Sequence, residues 1–314
     1  MTTDEVICRN LDGGRRRVRL TGTAGFASPG SVLRQRLVTT AGDVPLLCKS
    51  VPIEAGRRDH RLYDMLDNEI RVLAHLTRVY GGRVGELPVL TGYNVDVEEP
   101  FVLLRPYAGQ PATEAMRVLD QERKRLFQIG MLRALHAIAE AGVVHGALSL
   151  EAMRWNGSVV QLTDFESAQP AGEPRRSGIG PRQSPERVRG TGPADPRDDV
   201  WSAAVLIREL VLGPQAVAAP ADLSGDPERL RQRLGDVFQP VDRRPTAADL
   251  LTRMRATVPS LTRADPGAGL ADGYRMFEEA CRRKGGVPPG HPPEGAPARR
   301  RGWRQLLTGR VDAR

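Results

Sequence analysis

The stretch from residue 136 to residue 169 sets the tightest limit on how this chain can fold. Its pattern predicts the end of a helix, a loop, and two short strands joined at Asn156-Gly157, a dipeptide that strongly favours a two-residue hairpin turn. A further loop then carries Asp164. Helical and strand structure are therefore expected side by side in this part of the chain.

The N-terminal part of the chain has mainly strand character. Residues 5–53 alternate between apolar and polar side chains and are interrupted by turn residues, which predicts a meander of antiparallel strands. Further strands are predicted near residues 87–95 and 100–105. Residues 61–78 have helical periodicity, and Glu69 is offset from their apolar stripe of Leu62, Leu66, Ile70 and Leu73. A longer helix is predicted over residues 113–141, with Gly142 at its end.

Short motifs with chemical meaning follow one another along this framework. A glycine-containing turn occupies residues 25–32, and the only lysine in the first 120 residues is Lys49. Later come the loop His145-Gly146-Ala147-Leu148-Ser149-Leu150-Glu151-Ala152 and the tripeptide Asp164-Phe165-Glu166. In that order they resemble the kinase motifs G-x-G-x-x-G-x-V, V-A-I-K, H-R-D-L-K-P-E-N and D-F-G. The chain thus resembles a degenerate member, a pseudokinase, of the eukaryotic-type (bacterial) Ser/Thr protein kinase superfamily.

The resemblance covers about residues 15 to 256 and implies a fold. The expected fold class is α+β, a bilobal protein-kinase-like fold with a small antiparallel-sheet lobe and C-helix beside a larger, mainly helical lobe. The implied divisions are an N-lobe over residues 1–106, a C-lobe over 107–258, and a helix, a Pro/Gly linker and a basic tail over 259–314.

The resemblance also implies a nucleotide site, with weakly bound ATP and Mg²⁺ as cofactors. Asp164 is the implied ligand for Mg²⁺, and Glu69 is the implied ion-pair partner of Lys49. Ala27 replaces a loop glycine and Leu47 replaces a small alanine, so the affinity is expected to be low. The residues implied to hold the nucleotide are Gly25, Gly30, Val32, Lys49, Glu69 and Tyr107.

The loop at residues 145–152 lacks the groups that the family uses for phosphoryl transfer. Ala147 replaces the catalytic Asp, Ser149 replaces the Lys that steadies the γ-phosphate, and Ala152 replaces the Asn that ligates the second Mg²⁺. Losing a positioned acid–base group alone costs roughly 10²–10⁴-fold in rate. We therefore expect no catalytic residues and a signalling or scaffolding pseudokinase with little or no phosphotransfer.

A different class of function stays open at this point. Glu166 or Glu151 could take the acidic role, which would make the chain an active atypical Ser/Thr kinase or another ATP-dependent transferase. Glu166 itself has two interpretations, a solvated loop residue or a substitute metal ligand.

Two further motifs concern the fold rather than catalysis. Asp199, in Asp-Val-Trp-Ser, is implied to bind the backbone of His145 and Gly146. Arg244 is implied to form an ion pair with Glu186 of Ser184-Pro185-Glu186.

Composition limits the partners. The net charge of +8 comes almost wholly from arginines spread along the chain, so nucleic-acid binding through the arginine-rich tail has only charge in its favour. The expected partners are unidentified proteins, and the basic tail could dock on one of them or on an acidic surface. No apolar run predicts a membrane span, the first 30 residues are too charged for a secretory signal, and three scattered cysteines predict free thiols in the cytoplasm.

Overall fold

Strands dominate the N-terminal part of the protein. Residues 3–25 and 31–264 are described by the structure, a computed structural model. Six antiparallel strands form a closed barrel in which they follow one another in the order β1-β2-β3-β4-β6-β5. These strands are β1 (Thr3–Arg9), β2 (Arg15–Gly25), β3 (Arg34–Thr40), β4 (Pro45–Ser50), β5 (Leu90–Asn94) and β6 (Phe101–Leu104).

The interior of the barrel is apolar. Because successive side chains of a strand point to opposite faces, Leu46 and Cys48 of β4 lie inside, while Leu47 and Lys49 face the other way. This alternation directs Lys49 out of the barrel interior and toward the helix that covers it. The buried residues of the interior are Cys8, Leu20, Val38, Leu46, Cys48, Phe101 and Leu103.

Closure of the barrel depends on β1. This strand pairs with β2 along its whole length, and its Arg9 also pairs with Tyr93 of β5. The predicted bilobal kinase-like fold, with a small antiparallel-sheet lobe and C-helix beside a mainly helical lobe, is therefore wrong: the structure is a closed six-stranded barrel accompanied by several helices. The error has a physical cause, since β1 lies before the first kinase-like motif and its pairing with β5 joins distant parts of the chain. The boundaries at residues 106 and 258 stay a prediction.

The helix that packs on the barrel was correctly predicted from its periodicity. After the short helix α1 (Ile53–Arg58), helix α2 spans Arg61–Tyr80 and buries Leu66, Ile70 and Leu73 on one face. Gly81 ends α2 in the left-handed conformation, with φ of 60°, which a glycine adopts without strain. Glu69 is also buried on α2.

The predicted helix over residues 113–141 is two helices, α3 (Ala112–Ala115) and α4 (Gln121–Glu140). The Asp120 carboxylate accepts a hydrogen bond from the N–H of Arg123 at 2.8 Å, so α4 has its own N-terminal cap. The later helices are α5 (Pro185–Arg189), α6 (Arg197–Leu212), α7 (Glu228–Leu234) and α8 (Ala247–Arg253). The remaining strands are β7 (Gln110–Pro111), β8 (Val143–Val144), β9 (Met153–Trp155), β10 (Val160–Leu162) and β11 (Gln169–Pro170).

The predicted hairpin around Asn156-Gly157 is confirmed, with a longer loop than expected. Strands β9 and β10 pair antiparallel, and Trp155 pairs with Val160, so the loop spans residues 156–159. The Asn156 side chain accepts hydrogen bonds from the N–H groups of Ser158 and Val159, which fixes this loop.

A glycine beside this hairpin gives a local test of packing. Gly109 has φ of +77°, and a Cβ there would collide with the Trp155 carbonyl, whereas Gly157 has φ of +100° and open space around it. We expect Gly109→Ala to lower the free energy of unfolding by about 1–3 kcal/mol more than Gly157→Ala, because only the first substitution adds overpacking to backbone strain. Urea denaturation measures the difference, and equal losses would contradict the close approach.

Some of the predictions concern residues that the structure does not describe. Gly30 and the neighbouring residues 26–29, the short helix near 270–284, the Pro/Gly linker and the basic tail lie outside the described residues. Among the helices that the structure does describe, none combines the length and the apolar character needed to cross a membrane.

Candidate functional site

The candidate site is built around one buried ammonium group. Lys49 has no exposed surface, and its Nζ lies 2.7 Å from the nearer carboxylate oxygen of Glu69, 3.0 Å from Asp164 Oδ1 and 2.9 Å from Glu166 Oε1. The predicted contact between Lys49 and Glu69 is present. The structure thus gathers three carboxylates from distant parts of the chain onto a single lysine.

Two backbone features bring Asp164 and Glu166 to Lys49. Asp164 has φ of 60°, an uncommon value for a residue other than glycine, and it precedes a 3₁₀ turn over Phe165–Ser167. The side-chain amide of Asn68, one residue before Glu69 on α2, donates to the carbonyls of Phe165, Glu166 and Ala168 at 3.3, 3.1 and 2.7 Å. Asn68 therefore fastens the turn to the helix that carries Glu69.

The charges of the cluster do not balance. One ammonium faces three carboxylates, two of them at most 2% exposed. Burial and the carboxylates of Glu166 and Asp164 raise the pKa of Glu69 to about 8, against the opposing attraction of Lys49. Burial alone would lower the pKa of Lys49, but the surrounding carboxylates, Glu69 foremost, raise it well above its usual range. At neutral pH, Glu69 therefore retains a proton and Lys49 stays charged.

Polar side chains around the cluster orient two of its carboxylates. The Asp164 carboxylate accepts hydrogen bonds from Gln35 at 3.4 Å and from the hydroxyl of Thr163 at 3.0 Å. The Ser31 hydroxyl donates to Glu166 Oε1 at 2.5 Å. The carboxylate of Glu166 is thus bound within the site, and the interpretation of Glu166 as a solvated residue is wrong.

Asp199 fixes the backbone of the loop at residues 145–152, as predicted. Its carboxylate accepts hydrogen bonds from the N–H groups of His145 and Gly146 at 2.6 and 2.9 Å, which confirms that assignment. Burial raises the pKa of Asp199, although His145 and the two backbone N–H groups oppose the shift. The imidazole of His145 is buried, with Nε2 2.8 Å from the Thr163 carbonyl.

The side chains that this loop presents are small. Ala147 and Ser149 are half-buried, and Ala152 is buried; their side chains carry neither a carboxylate nor an amine. Glu151 is half-buried on the same loop.

A buried arginine that the sequence analysis missed packs against this loop. The Arg187 guanidinium lies directly over Gly146, where a Cβ would collide with it. It donates to the side chain of Gln169 at 3.2 Å and to the Ser167 carbonyl at 3.4 Å. Burial lowers the pKa of Arg187, and Asp199 and Asp198 oppose that shift. The glycine at position 146, where the kinase motif has Arg, was the signal in the sequence that pointed to such a contact.

The predicted ion pair between Arg244 and Glu186 is confirmed. Arg244 Nη2 lies 2.7 and 2.6 Å from the two carboxylate oxygens of Glu186, and the guanidinium stacks over the ring of Trp201 at 4.8 Å. Burial would raise the pKa of Glu186, but the hydrogen bond from Arg244 lowers it below its usual range. This pair is structural, since its charges bind each other away from Lys49.

Among the described residues, Gly25, Val32 and Tyr107 were also predicted to hold a nucleotide, and none of them is hydrogen-bonded to Lys49 there. Gly25 ends β2 opposite Arg36, and Val32 is 60% exposed. Tyr107 is half-buried, but its hydroxyl is inside and has no hydrogen-bond partner among the described residues. Burial, with the nearby carboxylates and against Lys49, raises the pKa of Tyr107 well above its usual range.

Arg154 of β9 binds the chain just after Tyr107. Its buried guanidinium donates to the Gly109 carbonyl from Nε at 3.1 Å and from Nη2 at 2.7 Å. Leu47 and Leu104, which pair across β4 and β6, are fully buried in the core.

The described residues offer little to a metal ion on their own. They contain no group of three or more His, Cys, Asp or Glu side chains arranged to hold a metal, because the three carboxylates of the cluster surround the Lys49 ammonium instead. Mg²⁺ commonly binds proteins through one or two carboxylates and takes its other ligands from phosphates and water. Asp164 can therefore serve as a single carboxylate ligand of Mg²⁺ only if a phosphate group supplies further oxygens.

Neither models of known protein families nor curated proteins gave a match to this chain. The resemblance to protein kinases thus stays a prediction that depends on the motifs.

Proposed function

We propose that this protein is a non-catalytic binding module, a pseudokinase in the functional sense, that engages a protein partner and transfers little or no phosphate. One observation carries the proposal. The lysine expected to hold phosphate groups is instead surrounded by three carboxyl groups of the chain itself, and it has no exposed surface.

The charge of the cluster argues against catalysis. Phosphoryl transfer depends on positioned groups that neutralise negative charge on the phosphates. Here the ammonium is outnumbered by carboxylates, so the site repels a phosphate group unless a cation accompanies it. The loop that should position the attacking hydroxyl carries Ala147 and Ser149 where the family has Asp and Lys. The site therefore lacks both the acid–base group and the free positive charge.

Weak binding of ATP with Mg²⁺ belongs to the proposal as a secondary property. Lys49 would hold phosphate oxygens, and Asp164 would hold one Mg²⁺ together with those oxygens and water. The metal would neutralise phosphate charge. Three carboxyl groups of the chain already contact Lys49, so phosphate oxygens would have to compete with them. This competition supports low affinity.

The alternative, an active transferase, has less support. Glu166 is bound to Lys49 and Ser31 and is 8% exposed, so in the observed arrangement its carboxylate is occupied by these two donors. Glu151 is half-buried on the loop itself, which keeps it as the stronger candidate of the two. A cytoplasmic location is part of our proposal and is supported by Cys8 and Cys48, which are buried free thiols.

Transfer of labelled phosphate tests the proposal. We expect the purified protein, given γ-labelled ATP, Mg²⁺ and a Ser/Thr-containing peptide mixture, to label itself and the peptides only at background level. Glu151→Gln and Glu166→Gln should give the same background, because no turnover depends on them. Stoichiometric labelling by the native protein that disappears in either variant would instead establish the transferase.

A further inference from the structure

Two donors converge on a single oxygen of Glu166. The Ser31 hydroxyl lies 2.5 Å and the Lys49 ammonium 2.9 Å from the same atom, Oε1. The Ser31 oxygen also accepts a hydrogen bond from the N–H of Leu33 at 3.1 Å, so the hydroxyl proton is left for Glu166. A hydroxyl and an ammonium that share one anionic oxygen form an oxyanion site, and its present occupant is the protein's own carboxylate.

The same pair of donors suits an oxygen of a phosphate group. Charge-assisted hydrogen bonds from an ammonium and a hydroxyl bind carboxylate and phosphate oxygens alike. Carboxylate and phosphate are both negatively charged, so the site can bind either of them. An incoming phosphate must therefore displace Glu166 to reach Ser31 and Lys49.

Glu166 is the carboxylate best placed to leave. Its side chain is 7% exposed, compared with 0% for Glu69 and 2% for Asp164. The backbone of its turn is held separately, because Asn68 binds the carbonyls of Phe165, Glu166 and Ala168 and the Phe165 side chain is fully buried. A rotation of the Glu166 side chain therefore opens the oxyanion site while the turn stays attached to α2.

Charge determines what can enter. After Glu166 leaves, Lys49 still faces Glu69 and Asp164, so a bare anion gains no net attraction. A polyphosphate that carries Mg²⁺ brings its own neutralising charge, and Asp164 can supply one oxygen to that cation.

We infer that Glu166 is an internal gate on an oxyanion site formed by Ser31 and Lys49, and that the phosphate of a magnesium polyphosphate, with or without a nucleoside, competes with it. This inference rests on the proposed function, since it describes how the non-catalytic site is kept closed. In the closed state Glu166 stands in for one phosphate oxygen.

Removal of the gate tests the inference by calorimetric titration with Mg²⁺-tripolyphosphate and with Mg²⁺-ATP. We expect Glu166→Ala to bind tripolyphosphate at least about ten times more tightly than the native protein, because no internal carboxylate has to be displaced. Glu173→Ala, which removes an exposed glutamate from a loop, is the matched control and should bind as the native protein does. Without Mg²⁺ the gain should vanish.

Thermal unfolding of the Glu166 variants shows whether they are folded, so that an absence of tighter binding can be told from a loss of structure. Glu166→Ala and the similarly sized, uncharged Glu166→Gln should both fold, since each removes one of three carboxylates that crowd a single ammonium. If the folded variants bind tripolyphosphate no better than the native protein, Glu166 is structural and the gate is wrong. In that case the transfer of labelled phosphate would still be at background level. If the proposed function is wrong, labelled phosphate is transferred, so the two failures can be told apart.

Discussion

Lys49→Met should destabilise this protein by about 3–5 kcal/mol, because it leaves three buried carboxylates without their common cation. The loss corresponds to a fall in Tm of roughly 2–4 °C for each kcal/mol in a chain of this size. Part of the effect will be absorbed by protonation of the abandoned carboxylates, so it should grow as the pH rises from 6 to 8. Urea denaturation followed by circular dichroism measures it.

The chain offers a matched control for that substitution. Lys124 is half-buried on α4, and Lys124→Met removes the same atoms with an expected change within about 0.5 kcal/mol. The double variant Lys49→Met, Glu166→Gln should recover part of the loss, since one carboxylate fewer is then left unpaired. If Lys49→Met and Lys124→Met were equally mild, the cluster would not be holding α2 and the turn at Phe165–Ser167 to β4.

The parts of the fold that the sequence predicted correctly are those with local causes. The apolar stripe of α2 and the turn residues Asn156 and Gly157 act over a few positions, so spacing alone locates them. Asp199 and the pair of Arg244 with Glu186 act over long distances, but each belongs to a recognisable motif. The order of the motifs therefore predicted these two long-range contacts, which local sequence patterns do not predict.

The closed barrel could not be predicted in the same way. It requires β1 to pair with β5 at Arg9 and Tyr93, two residues that belong to no motif. Alternation along residues 5–53 predicts strands but does not determine which strand meets which. The resemblance to kinases begins only near residue 15, so it gave no information about the strand that closes the barrel.

Three residues of the site were predicted, but its arrangement was missed. Lys49, Glu69 and Asp164 were expected together, and they meet. The bond from Glu166 to Lys49 and Ser31 was not foreseen, because one carboxylate in a turn gives no periodic signal. A polar Asn68 beside Glu69, in the middle of the amphipathic helix α2, was the available clue that α2 carries a buried polar contact.

The excess of carboxylates around Lys49 has a consequence for stability as a function of pH. A glutamate in the unfolded chain releases its proton near pH 4.3, while burial with Glu166 and Asp164 holds the pKa of Glu69 at about 8 in the folded protein. Between these values the unfolded state binds fewer protons, so the free energy of unfolding falls as the pH rises. Lys49 has a raised pKa, so its contribution to stability is complete throughout that range and is lost only in strongly alkaline solution.

Carboxylates outside the cluster behave in the opposite way. Glu186, Asp236 and Asp249 have lowered pKa values, so their contributions to stability are lost only in acid.

Glu69→Gln should therefore remove a pH dependence that the native protein has. The amide imitates the protonated glutamate but releases no proton on unfolding, so the stability of the variant relative to the native protein should rise by about 1.4 kcal/mol per pH unit between about pH 5 and pH 7. The rise should become less steep toward about pH 8, where Glu69 begins to release its proton in the folded protein. Urea denaturation at four pH values measures this difference. Glu122→Gln, at an exposed position of α4, should run parallel to the native protein. A Glu69→Gln curve that also stayed parallel would mean that Glu69 is ionised in the folded state, and the ammonium of Lys49 would then be balancing three full negative charges by itself.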